Sequence, residues 1–190
     1  MYRSVFAFMG CLHRAMTGFA VLVFLVITPA HAQEPSLACK LLQPAELESA
    51  LGEWALGGKA TKFSGFTTNS GGIALDSCSS DIVRPGHGHL GVTVLIVKNH
   101  PMDGADFIRG RNGALARQGQ WKVKGAQFEE KTVGNAICTR SGRPNVPAHS
   151  VCSIPRARGY VEVDVQASSQ KEMASMDAVR TLVQKAVTRL

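Results

Sequence analysis

The chain has 190 residues, with 21 Lys and Arg against 14 Asp and Glu and only 6% aromatic residues. That length fits one ordinary domain with a short leader. A net charge of +7, scattered along the chain, favours solubility and acidic surfaces and is too weak and diffuse to point to nucleic acid.

Residues 1–32 read as a signal peptide. Arg3 and Arg14 are the only charged residues there, and an apolar run covers Phe19–Ile27. Ala30-His31-Ala32 then fits the small-x-small cleavage pattern. The run is shorter than the roughly 20 apolar residues needed to cross a bilayer. An anchor left uncleaved is the alternative, and it would be the only membrane contact expected. Two cysteines invite a lipid-attachment reading and fail it. Cys39 is cut off from the apolar run by Pro29, Glu34 and Pro35, and Cys11 precedes most of that run. Cleavage after Ala32 leaves a single domain, residues 33–190, with 158 of the 190 residues and a net charge of +5 once Arg3 and Arg14 are gone.

Export also changes the cysteine count from five to four: Cys39, Cys78, Cys138 and Cys152. An even number in an exported domain predicts disulfides, with three connectivities open. No C-x-x-C and no tight Cys/His cluster occurs, so neither a redox motif nor a zinc knuckle is supported.

In chain order, Gln43–Gly52 predicts a short helix. Pro44 suits the first helical position, Glu46 and Glu48 face the positive end of the dipole, and Gly52 suits the stop. Lys59–Thr68 predicts a strand interrupted by Gly65. A turn at Asn69–Gly72, a strand over Ile73–Val83 and a turn over Pro85–His89 follow. Leu90–Lys98 is apolar on both faces near its end, as a strand covered on both sides should be. Asp106–Gln118 predicts a helix with Phe107, Ile108, Ala114 and Leu115 inward, weakened by Gly110 and Gly113. Trp121–Lys124 reads as a strand or extended edge, and Glu129-Glu130 as a solvated turn. Ala136–Arg140 and His149–Ile154 predict a hairpin around Ser141–Ala148. Tyr160–Val165 alternates strictly, valines inward and acids outward.

The last element is a long amphipathic helix. Ser169 and Glu172 form a capping-box pattern. Met173, Met176, Val179, Leu182, Val183, Ala186, Val187 and Leu190 make one apolar stripe that needs a sheet to cover it. The fold expected is α+β: an antiparallel sheet covered by this long C-terminal helix and the short N-terminal one.

Cys39-x-Leu41-Leu42-x-x-Ala45-Glu46-Leu47-x-x-Ala50-Leu51-Gly52 resembles the opening of small exported bacterial domains. These are known mainly from actinobacterial lipoproteins of unknown function and are grouped with PsbP-like folds. Val133-Gly134-Asn135-Ala136 resembles that family's Val-Gly-Asp-Ala segment, and the final helix matches in place. Gln43 replaces the usual threonine cap, Ser80 stands where an aromatic is common, and Cys138 and Cys152 are additions. The resemblance implies a PsbP-like fold, export, and the pairing Cys39–Cys78 with Cys138–Cys152. For the second bridge the predicted hairpin agrees. It implies no catalytic residues.

The candidate chemistry is thin. His87, His89, His100 and Met102 have the ligand types of a soft-metal site, but the first two lie in a glycine-rich turn and the last two a strand length away. Arg140, Arg143, Arg156 and Arg158 have the chemistry to bind an anion such as a phospholipid head group. A hairpin would place them as two pairs at opposite ends, with Lys122 and Lys124 as a possible extension. Ser77, Ser79 and Ser80 are in no nucleophile elbow. His149 beside Ser150 points to the opposite face of its strand. Asp103 and Asp106 are explained as helix caps. No glycine loop cradles a phosphate, and no cofactor is expected. The expected function is that of an exported, non-enzymatic binding or interaction domain, periplasmic or secreted. Its partner would be an envelope protein or a small ligand held between sheet and helices. An exported metal-binding or hydrolytic protein is the alternative.

Overall fold

A computed structural model describes residues 36–52, 59–60, 64–83 and 88–190. The expected signal segment 1–32, its cleavage site and the turn residues Pro85–His87 lie outside them.

Eight antiparallel strands form one sheet. They are β1 (Lys59–Ala60), β2 (Ser64–Ser70), β3 (Ile73–Val83), β4 (His89–Lys98), β5 (Gln127–Val133), β6 (Ala136–Gly142), β7 (Ala148–Arg156) and β8 (Gly159–Ala167). The order is β1-β3-β4-β8-β7-β6-β5, with β2 also paired to β3. Two meanders, β2–β4 and β5–β8, thus join at the β4–β8 pair. Helix α1 spans Pro44–Leu51, α2 Gly104–Ala116 and α3 Met176–Val187.

One face holds the main core. Leu90, Val92, Val94 and Ile96 of β4 and Val161, Val163 and Val165 of β8 are buried there with α1, α3 and the single turn Leu37–Lys40. A row across the sheet runs Gly65, Cys78, Val94, Val163, Cys152, Cys138. Both disulfides lie on it. Cys39 bonds Cys78 and Cys138 bonds Cys152 directly across β6 and β7. Gly65 has a packing reason. A Cβ there would stand 2.7 Å from Cys39 Sγ and 2.3 Å from the Ser77 carbonyl oxygen.

The expected long covering helix is not formed, and this overturns the sequence-based fold class, its PsbP-like grouping included. The described residues form a predominantly antiparallel sheet with three short helices, and α3 has only 12 residues. The reason lies in competing caps. Gln170–Glu172 makes one 3-10 turn, and Met173 then returns to an extended conformation. Ser175 is the actual N-cap, its Oγ accepting from the Ala178 amide at 3.2 Å. Glu172 instead accepts from the Gly88 amide at 3.1 Å, tying this segment to the start of β4. Met173 and Ala174 are buried all the same, as extended rather than helical members of the apolar stripe. Leu190, the last member, is 45% exposed beyond the helix end.

On the other face, α2 packs Ile108 and Phe107 against Val97, Ile137 and Tyr160. This gives β4 the second cover its sequence called for. Two local expectations fail here. Trp121–Lys122 belongs to a 3-10 turn, Gly119–Lys122, rather than a strand. Glu129-Glu130 lies within β5 rather than in a turn.

The start of α2 is fixed by backbone contact. A Cβ on Gly104 would come within 1.9 Å of the Gly159 carbonyl oxygen and 2.6 Å of that of Arg156. Neither is a flexible group able to move aside. Gly104→Ala is therefore expected to cost about 2 kcal/mol by overpacking, read as a lower denaturant midpoint with unchanged slope. A midpoint equal to that of the parent protein would show that α2 can shift freely.

A candidate binding cleft between α2 and the sheet

The second face of β5–β8 is polar where α2 rises away from it. Side chains alternate along each strand, so the residues opposite the valine core form ordered rows. Phe128, Ser141, His149 and Gln166 make one row across four strands. Thr139, Val151 and Asp164 make the next, and Ile137, Ser153 and Glu162 a third. Strands lie about 4.8 Å apart and alternate residues about 6.6 Å apart. Ile137 and Ser153 of the third row are buried beneath α2, so the open floor is the first two rows with Glu162 at its edge, roughly 14 by 7 Å.

Above it stand Arg111, Asn112 and Leu115 of α2 and Gln120 and Trp121 of the following turn. Arg143, Val146 and Pro147 of the β6–β7 loop form the rim. Together these line an open cleft of about 600 Å3, within the range of small-molecule sites.

Arg111, Glu162, His149 and Asp164, the charged and titratable groups of the cleft apart from Arg143 at its rim, are paired within the protein. Arg111 Nη2 donates to Glu162 Oε2 at 2.6 Å, and Ser153 Oγ donates to the same oxygen at 2.5 Å. The Arg111 guanidinium also lies 5.7 Å from the centre of the Tyr160 ring. His149 Nδ1 lies 3.0 Å from Asp164 Oδ2. Trp121 is held by its Nε1, which donates to the Leu115 carbonyl at 2.6 Å, and its ring lies 5.5 Å from that of Phe128. Asn112 is 2% exposed, and its Oδ1 has no hydrogen-bond partner among the described residues. A buried unsatisfied acceptor costs about 1–3 kcal/mol. In a cleft wall, it marks a place where stability has yielded to something else.

The Asp164 hydrogen bond raises the His149 pKa above its ordinary 6.5, and burial opposes this. A raised folded-state pKa means that protonation favours folding. The stabilisation is therefore complete below about pH 6.5 and is lost as pH climbs through the folded-state value. Urea midpoints taken from about pH 6 to pH 8 should fall across that window, and Asp164→Asn should flatten the decline. A parent profile that rises there would reverse the assignment.

The residues singled out by sequence are placed as follows. Arg143 lines the cleft, whereas Arg140 faces the α3 side and lines a shallow depression with Glu129, Lys131, Ser175, Met176 and Asp177. Arg156 and Arg158 lie at the far end of β7, where the Arg158 carbonyl accepts from the His100 amide at 3.2 Å. The four arginines form no common patch. His87 lies outside the described residues. His89 and His100 stand at opposite ends of β4. His89 Nε2 lies 3.1 Å from Asp81 Oδ1, and the His100 ring packs 4.2 Å from that of Phe107. Met102 is exposed. Among the described residues, no three His, Cys, Asp or Glu side chains gather as a metal site.

The acids of β8, expected to face solvent, are corrected by α2. Glu162 is 9% exposed, and Asp164 lies in the cleft floor. Arg111, Asn112 and the His149–Asp164 pair were not legible as a site. One signal was present: Asn112 occupies the core-facing position four residues after Ile108, where Ala114 was expected to turn inward and instead is exposed.

No family model matches the chain, and no curated protein matches it. Among solved structures, the extracellular domain of PknH from Mycobacterium tuberculosis is similar at a TM-score of 0.47 and 13% identity, covering 83% of this chain and 95% of that one. A likeness this distant lends the cleft no function. The PsbP-like grouping finds no support in these comparisons.

Proposed function

We propose that this chain is an exported, non-catalytic binding domain whose ligand seat is the cleft between α2 and the sheet. One observation carries the reading: polar side chains from β6, β7, β8, α2 and the turn after α2 converge on one open cleft of about 600 Å3. Export is supported by the A-x-A pattern at Ala30–Ala32 and by two disulfides, which persist in oxidising compartments. A periplasmic or secreted location fits both.

Native mass spectrometry on protein exported from the full chain and purified from envelope extract tests the ligand seat. A retained small molecule should disappear in Val151→Trp, which fills the middle of the floor. If the cleft is empty and a protein partner co-purifies equally with both forms, the site lies elsewhere and the partner is a protein.

The hydrolytic alternative has a single observation behind it. Ser141 stands directly across from His149, which is paired with Asp164, the order of groups in a serine hydrolase. Covalent labelling of Ser141 by a fluorophosphonate would favour that alternative, and unlabelled Ser141 in folded protein favours binding alone.

A further inference from the structure

Resting on that cleft as the ligand seat, we infer that its ligand is a neutral saccharide, one or two pyranose rings in size. The charge pattern comes first. Both acids of the floor already have partners in the protein: Glu162 has Arg111, and Asp164 has His149. A metal ion would have to displace those partners. A phosphate or carboxylate would meet the same two acids, with Arg143 at the rim as the lining cation that has no acidic partner among the described residues. A lipid chain would desolvate Ser141, Thr139, Gln166 and Asp164 without replacing their hydrogen bonds, at a cost of about 1–3 kcal/mol for each group.

A pyranose ring matches what is left. Each hydroxyl both donates and accepts, and the lining offers both roles. Ser141, Thr139, Asn112, Gln120 and Gln166 do either, while the internally paired carboxylates and cations are orientated acceptors and donors. Prior pairing fixes those charged groups without asking the ligand for a charge. The ring also has an apolar C–H face that needs an aromatic surface. Trp121 and Phe128 stand together at the β5 side of the cleft, and the indole is locked by its bond to the Leu115 carbonyl. The open floor, about 14 by 7 Å, holds one or two such rings end to end and not a longer chain lying flat.

Calorimetry on the exported full-chain protein tests this. Neutral mono- and disaccharides (glucose, N-acetylglucosamine, maltose, chitobiose) are compared with two non-sugars, benzoate and inorganic phosphate. Binding of at least one saccharide in the millimolar range or tighter is expected, weakened about tenfold by Trp121→Ala and by Gln166→Ala, with Phe66→Ser on the distant β2 strand as the unchanged control. Trp121→Phe keeps an aromatic surface and should retain most of the affinity, which separates loss of stacking from loss of fold. Benzoate or phosphate binding that depends on Trp121, with no saccharide binding, would overturn the saccharide class and leave the cleft as a ligand seat. Saccharide binding unmoved by both substitutions would overturn its location. No binding by any probe, in protein shown to be folded, would count against both the class and the cleft.

Discussion

Replacing Cys39 and Cys78 together by alanine is expected to lower the free energy of unfolding by roughly 4 kcal/mol. The bridge closes a separation of 39 residues, against 14 for Cys138–Cys152, whose loss should cost roughly 3 kcal/mol on the same chain-entropy reasoning. Two local facts widen the difference. The Cys39–Cys78 bridge fastens the Leu37–Lys40 turn to the middle of β3, and with it Ala38, Leu41 and Leu42, each at most 2% exposed. Without it that segment is held to β3 by Ser36 on Asp76 and the Ser77 carbonyl, and by the Leu37 amide on Asp76. Cys138 and Cys152, in contrast, join strands already hydrogen-bonded to each other and flanked by β5 and β8. For a domain whose total stability is of order 10 kcal/mol, the first loss is severe. Guanidinium unfolding of both double variants gives the comparison. A smaller loss for Cys39/Cys78 than for Cys138/Cys152 would mean that the N-terminal turn contributes little to the core.

What the sequence made legible follows from how local each signal is. The Pro44 start and Gly52 stop of α1 and the inward valines of β8 depend on neighbours in the chain and appear where expected. The turn after β2 is tighter than expected, because Asn69 and Ser70 still pair with β3 and only Gly71 and Gly72 lie outside the ladder. The hairpin of β6 and β7 rests on two cysteines and two apolar strands, and it forms in the register Cys138↔Cys152. The C-terminal stripe misled because burial and helical period were treated as one property. Met173 and Ala174 are buried without being helical, since Ser175 is the cap that wins. The cleft was the least legible feature, because it depends on a layer that alternation alone does not announce. Glu162 and Asp164 alternate with valines as solvent-facing acids would. Only the placement of α2 over that face turns Glu162 into a buried partner of Arg111, and only the β7–β8 register brings Asp164 to His149.

That same burial sets up the second large effect. Glu162→Ala is expected to cost about 3 kcal/mol. It leaves the Arg111 guanidinium without its counter-charge and the buried Ser153 hydroxyl without its acceptor. The value sits at the lower end for a broken buried pair because the Arg111 side chain is 28% exposed and can recover some hydration. The informative companion removes the whole network: Arg111→Leu, Glu162→Leu and Ser153→Ala together. Apolar replacement of a complete buried ion pair is often neutral or stabilising, so this triple variant should unfold within about 1 kcal/mol of the parent protein. If it does, the pair is not what holds α2 to the sheet; Ile108, Phe107 and Tyr160 are. The network's role is then to present fixed donors and acceptors to the cleft, and the stable triple variant should lose ligand retention. If the triple variant is instead as unstable as Glu162→Ala, the ion pair is a structural clamp and the polar floor at Glu162 owes its presence to folding.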